Sequence, residues 1–234
     1  MAWANPIDDK CGQFAPYGAP VTTIPVQYLC KANYAVAHNN ATKTPQYVLE
    51  HVTKEAITGP TKRKDAFRPD PAVDPKYQAQ LADYATAGNI YDRGHLSPAG
   101  DNTQTEQTMS ESFFLSNMMP QVANNNRGIW KQLETNVRSY VLATNDVYVV
   151  SGTIYNNVYK TIGLNRVGVP DKIFKVIIDA KNNKASAYIF PNTALPVGDL
   201  PKYKVSIKDV EAQTGINFNP KIAPNSPLET AKTW

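Results

Sequence analysis

A chain of 234 residues, 42% of them hydrophobic and 10% aromatic, can bury the core of one fairly large domain. Its 24 basic and 20 acidic residues leave a net charge of +4, which admits a polyanionic partner but equally fits an ordinary solvated surface. No apolar run approaches the ~20 residues of a membrane-spanning helix, so no membrane partner is expected.

The opening residues, MAWANPIDD, lack the charged and apolar regions of a signal peptide, while Ala2-Trp3-Ala4 is similar to the small-x-small end of one. The expectation is a mature chain, secreted or periplasmic. Cys11 and Cys30 are the chain's two cysteines. Their proximity predicts one disulfide pinning an N-terminal arm, with free thiols as the alternative. QYVLEHVTK (46–54) alternates Tyr47, Leu49 and His51 with Val48, Glu50 and Val52, the period of a strand buried on both faces. Prolines gather at 60–75, 191–201 and 220–227 and mark ordered loops, not a domain boundary. DRGH (92–95) is too polar for a buried strand and lacks the pattern of an amphipathic helix, so it reads as a tight polar turn or a site. In FFLSNMMPQ (113–121) a strand-like run leads into Ser116-Asn117. Residues 128–144 place Ile129, Leu133, Val137 and Val141 at helical spacing. DVYVVSGTIY (146–155) and KIFKVIIDA (172–180) read as central strands, and KASAYIFPN (184–192) returns from the second across Lys181-Asn182-Asn183 as a hairpin. A short helix over 206–215 opens on Ser206-x-x-Asp209 and stops at Gly215. Strands and helices do not alternate regularly. The pattern predicts an α+β fold with a central, mainly antiparallel sheet flanked by helices.

Common catalytic signatures are absent: GHLSPAG is no nucleophile elbow, GPTKRK is no phosphate loop, and no dinucleotide fingerprint occurs. What remains is His95, the amides Asn117 and Asn124-Asn125-Asn126, Glu134 and nearby arginines. Singly, each has a structural reading, since asparagines before a helix cap it and Glu134 could face solvent. Together they suit a hard cation with a base beside it. Asn126 and Glu134 stand eight residues apart, about 12 Å along a continuous helix, too far for both to bind one ion directly. Arg127-Gly128 is a poor helix interior, which predicts that Asn126 precedes or opens the helix.

DRGH at 92–95, SNMMPQ at 116–121, NRGIW at 126–130 and Leu133-Glu134 resemble the signature of the sugar-nonspecific DNA/RNA endonucleases, which are ββα-metal or His-Me finger nucleases. RKDAFRPDP (63–71), Asp83-Tyr84 and VEAQTGINF (210–218) resemble further blocks of that family, so the likeness runs from about Tyr47 to Phe218. The chain is expected to form one nuclease domain over 1–234, with an arm (1–45) outside those blocks, a catalytic core (46–218) and a tail (219–234), and the likeness implies a ββα-metal motif at one face of the sheet. His95 would activate water and Asn126 would be the inner-sphere ligand of Mg²⁺, with Mn²⁺ as a substitute. Glu134 would hold the ion through water. Asn117 would orient the imidazole or its surroundings, Arg63 would contact phosphate, Arg93 would line the cleft, and Asp92 would anchor the loop. The implied substrates are double- and single-stranded DNA and RNA, and the oligomeric state, monomer or homodimer, stays open. Two other classes fit the residues less well: a catalytically silent nucleic-acid-binding module and a structural secreted domain. Ser97 departs from the family, where many members have alanine, and Arg127 stands where some have a neutral amide.

Overall fold

The β-branched runs form the middle of one large sheet. In the computed structural model, which describes residues 6–88, 90–223 and 226–230, the strands in chain order are β1 (Gln27–Cys30), β2 (Tyr34–Asn39), β3 (Thr44–Thr53), β4 (Tyr91–His95), β5 (Met118–Val122), β6 (Asp146–Ile154), β7 (Thr161–Ile162), β8 (Val167–Gly168), β9 (Lys172–Asp179), β10 (Lys184–Pro191) and β11 (Lys204–Val205). Seven of them pair in the order β1-β2-β3-β6-β9-β10-β11, antiparallel throughout. The sheet and the helices on its two faces make the fold α+β, as the irregular order of elements predicts.

Period-two alternation divides the core. Tyr47, Leu49, Phe174, Val176 and Ile178 point to one face, where they pack with Ile7 and Cys11 of the helix Pro6–Cys11 and with Ile207 and Val210 of the helix Ile207–Thr214. Val48, Val52, Ile173 and Ile177 point to the other, against Leu133, Val137 and Val141 of the helix Lys131–Thr144. The helix Ile207–Thr214 starts and ends as its sequence predicts. The Ser206 hydroxyl accepts from Asp209 N, the Asp209 carboxylate accepts from Ser206 N, and Gly215 closes the helix at φ +68°.

The stretch read as an N-terminal arm does more than pack. It contributes β1 and β2 to the sheet, and β2 is buried along its whole length. Cys11 and Cys30 are bonded, tying the helix Pro6–Cys11 to the end of β1 with their Cα atoms 6.0 Å apart. DRGH is a strand, and FFL is not. Residues 115–117 form a single 3₁₀ turn, and the strand begins only at Met118. Extended backbone tolerates the polar DRGH side chains because β4 and β5 form a separate two-stranded ribbon, on which Asp92 and Arg93 stay partly open to solvent.

Candidate active site

The site begins with that ribbon. β4 pairs antiparallel with β5, Gly94 opposite Met119 and His95 opposite Met118. β5 then runs directly into a helical stretch that starts at Ala123. Gly94 is required by space, because a Cβ there would collide with the side chain of Gln121. Gln121 is fully buried and donates through Nε2 to Asn125 Oδ1 at 2.9 Å. Asn125 in turn donates to the carbonyls of Pro191 and Thr193. Of the asparagines at 124–126, Asn125 is therefore a brace between the ribbon and the end of β10.

Of the three histidines, His38 is buried against the Tyr77 carbonyl and His51 stacks on Tyr148, which leaves His95 for the cleft. Its ring is only 9% exposed and sits edge-on between Phe67 and Phe113, with centroids 5.5 and 5.1 Å away. Nε2 has no hydrogen-bond partner among the described residues. Burial, helped by the Arg63 and Arg93 charges and opposed by Asp65, pulls the imidazole down to about 3. The ring is thus neutral at any physiological pH, with Nε2 unpartnered toward the cleft until something there meets it.

The backbone beside it is held rigidly. Asn117, fully buried, accepts from Ser97 N at 2.9 Å and donates to the carbonyls of Ser97 and Ser112, both at 2.8 Å. It fixes the chain two residues beyond His95 and does not bond the imidazole. The Ser97 hydroxyl, the departure from alanine, accepts from Asn102 Nδ2 at 2.9 Å. Trp130 Nε1 donates to the His95 carbonyl at 3.3 Å, joining the helix to the strand.

The helix itself differs from expectation. It begins at Ala123, ahead of the 128–144 read from the sequence and with Asn126 in its first turn, and a π turn over Asn126–Trp130 precedes the regular helix from Lys131. That turn has a geometric effect. In a regular helix, residues eight apart lie roughly 80° round the axis from each other. A π turn absorbs one residue, so Asn126 and Glu134 behave as though seven apart and return to within about 20° of the same face. Asn126 Nδ2 donates to Asp92 Oδ2 at 2.8 Å, and Arg127 makes two bonds to the same carboxylate at 2.9 and 2.6 Å. Burial pushes the Asp92 carboxyl up, but the bonds from Arg127 and Asn126 and the Arg127 and Arg93 charges outweigh it and hold the group below its ordinary range. With its nitrogen bound to Asp92, Asn126 has its amide oxygen directed away from that carboxylate.

His95, Arg63, Arg93, Asn126 and Glu134 all line one cavity of about 620 Å³. Asn117 does not; it lies behind the wall. Arg63 pairs with Asp65 at 2.7 Å and stays largely exposed, while the Arg93 guanidinium lies over the Phe67 ring at 4.2 Å. The same cavity is lined by Arg127, where the sequence departs from some relatives beside Asn126, and by Lys131 and Arg138, for which the sequence raised no expectation. Arg138 had a signal, since it follows Glu134 by four residues on one helix face; it pairs with Asp101 at 2.9 Å. Nothing in the sequence marked Phe67 and Phe113 as the walls around the histidine.

Burial pushes Glu134 up to about 7, with Lys175 and Arg138 pulling against it and Asp101 adding to it. The donor set is one amide oxygen and one nearby carboxylate, and among the described residues no group of three or more His, Cys, Asp or Glu could cage a metal. Such a set fits a hard cation that keeps most of its waters, and it does not fit a zinc cage.

A hairpin bearing a histidine, followed by a helix that presents an amide and a carboxylate to the same cleft, defines the ββα-metal architecture. The sequence profile of the DNA/RNA non-specific endonucleases matches residues 12–225, and the chain belongs to that family. It is 35% identical over 226 residues to the mitochondrial nuclease EXOG of Xenopus laevis, covering 88% of this chain and 61% of that protein. It is 34% identical to nuclease C1 of Cunninghamella echinulata var. echinulata over 213 residues, 83% of each. In three dimensions it is similar to EndoG in the crystal structure of the EndoG/EndoGI complex, with a TM-score of 0.83 and 28% identity over 93% of this chain and 94% of that one. The chain thus spans about three fifths of the length of the EXOG relative. No helix among the described residues is long and apolar enough to cross a membrane.

Proposed function

We propose that the chain is an endonuclease that hydrolyses phosphodiester bonds of DNA and RNA with little base selectivity, using a His95-activated water and Mg²⁺, with Mn²⁺ as a substitute. The observation that carries this reading is the shared cavity. It is lined by a neutral imidazole, an amide with its nitrogen already occupied, a carboxylate on the same helix face, and several cations.

His95 takes the proton of the attacking water, and its aromatic walls keep competing donors away. Arg63 and Arg93 hold the scissile phosphate, and Arg127 and Lys131 add positive charge along the mouth of the cleft. Asn126 Oδ1 is the protein atom that would bind the cation, and Glu134 would hold its hydration shell. A divalent cation held there would neutralise phosphate charge and stabilise the leaving alkoxide. Contacts to phosphate carry no base sequence, and a base acting on water has no need of a 2′-hydroxyl. The Cys11–Cys30 bond supports an oxidising destination, secreted or periplasmic, although the EXOG relatives carry mitochondrial names.

A plasmid-nicking assay with and without EDTA, on the wild type and on His95→Ala, tests the reading. Loss of the base is expected to cut turnover by ~10²–10⁴-fold with DNA binding retained. Nicking that survives EDTA, or a His95→Ala variant of near wild-type rate, would overturn it.

A further inference from the structure

Between the sheet and the catalytic helix lies charge that the reaction above does not use. Lys175 occupies the middle of β9, between Ile173 and Ile177, on the face toward the helix, and is 2% exposed. A buried ammonium is unfavourable where an aliphatic side chain would pack, so its surroundings have to account for it. Nζ donates to Ser151 Oγ at 2.6 Å on the neighbouring strand and lies 4.6 Å from the centre of the Trp130 ring. Among the described residues no carboxylate comes within ion-pair distance. Instead the ammonium acts across space on Glu50, Glu134 and Asp101.

Trp130 is where this contact meets the site. It ends the π turn that begins at Asn126, and its indole N–H holds the carbonyl of His95. The ammonium therefore rests on the ring that connects the helix face carrying Asn126 and Glu134 to the strand carrying the base. A different account is available, in which Lys175 only balances Glu50. That carboxyl, on β3, is 1% exposed, and among the described residues neither of its oxygens has a hydrogen-bond partner. The two accounts separate experimentally.

We propose that Lys175 is a positioning residue for the active site: from the floor of the sheet it fixes the Trp130 ring, so that the helix carrying Asn126 and Glu134 and the strand carrying His95 keep their mutual placement. The proposal rests on the reading of those three residues as a nuclease centre.

Four proteins decide it: wild type, Lys175→Met, Glu50→Gln, and the double variant. Methionine keeps an unbranched apolar stem and removes the charge. The double variant removes the cation and the carboxyl together. For each, Tm, kcat and KM on plasmid DNA and Mn²⁺ affinity by calorimetry are measured. Lys175→Met is expected to lose roughly 10–100-fold in kcat or Mn²⁺ affinity, the range found when a residue orienting a metal ligand is removed, with KM for DNA unchanged. The double variant is expected to regain the lost Tm while kcat and Mn²⁺ affinity stay low. Recovery of kcat and Mn²⁺ affinity along with Tm would overturn the proposal in favour of charge balance. So would a Lys175→Met protein that binds Mn²⁺ and turns over like the wild type. If the single variant does not fold, the double variant carries the test, and a double variant that does not fold makes Lys175 a folding requirement and sinks the idea. Failure of the nuclease reading looks different: His95→Ala would stay active, while the Mn²⁺ calorimetry would still report on Lys175.

Discussion

Replacing Asp92 by alanine tests whether the site's geometry depends on how Asn126 is held. Asp92 receives three hydrogen bonds, one from Asn126 and two from Arg127. They are not equal. The Arg127 side chain is 69% exposed, so its pair with Asp92 falls among surface ion pairs worth about 0–1 kcal/mol. The Asn126 bond is more sheltered and has a charged acceptor, which places it at about 1.5–3 kcal/mol. Without it the amide is free to rotate, and its nitrogen competes with its oxygen for the cleft. A loss of about 1.5 kcal/mol in preorganisation corresponds to roughly a tenfold weaker cation site. Asp92→Ala should therefore raise the Mg²⁺ concentration for half-maximal nicking by roughly tenfold, whereas Arg127→Ala should shift it by no more than about fivefold. Titrating nicking rate against Mg²⁺ for both variants, with Asn126→Ala as the reference, gives the measurement. An Asp92→Ala enzyme with the wild-type Mg²⁺ requirement, beside an Asn126→Ala enzyme with a raised one, would refute the argument that Asp92 sets the amide's direction.

Three further outcomes are expected. Reducing the Cys11–Cys30 bond, which closes a loop of 19 residues, should lower unfolding free energy by about 3 kcal/mol in urea titrations; an unchanged midpoint would show that the sheet alone holds the N-terminal segment. Hard cations should outperform Zn²⁺ in nicking, and Glu134→Gln should retain more activity than Glu134→Ala because it keeps a hydrogen-bonding oxygen; equal loss in the two would remove that oxygen from the account. Burial pushes Glu50 up from 4.5 to about 8, so its contribution to stability is complete below the lower value and drains away as pH rises through the upper one. Tm should thus fall more steeply for the wild type than for Glu50→Gln between about pH 5 and about pH 9, and parallel curves would mean that Glu50 does not titrate in that window.

The sequence made some of this legible and hid the rest for physical reasons. The strands at 146–155 and 172–180 and the hairpin to 184–192 were plain, because a strand covered on both faces must be apolar on both. β1 and β2 were not, since QYLC and YAVAHN are short and mix small and polar residues. DRGH was legible as a site and illegible as a strand. Its side chains serve the cleft, and what makes it a strand is the backbone ladder to β5 and the fit of Gly94 against Gln121, neither of which leaves a local pattern. The helical start at Ala123 is hidden because Arg127-Gly128 weakens a regular helix. The chain runs through those residues in a π turn.

That turn connects the two halves of the site. A regular helix through Asn126 would turn Glu134 away from the cleft, and a helix starting after Asn126 would leave its amide on a loop. The wider turn gives Asn126 a helical backbone and keeps Glu134 on its face, and it ends at Trp130, whose indole reaches back to the strand that carries His95. The electrostatics divide along the same line. On the strand side, burial and two arginines keep His95 neutral and hold its basicity down. On the helix side, burial opposes the charge on Glu134, while Lys175 and Arg138 favour it. An arriving phosphate would add negative charge beside His95 and favour the proton it takes from water; a cation on Asn126 would favour the carboxylate form of Glu134. Each half of the site thus lacks the charge that its proposed ligand brings, which is the condition under which substrate and cation binding prepare the site for reaction.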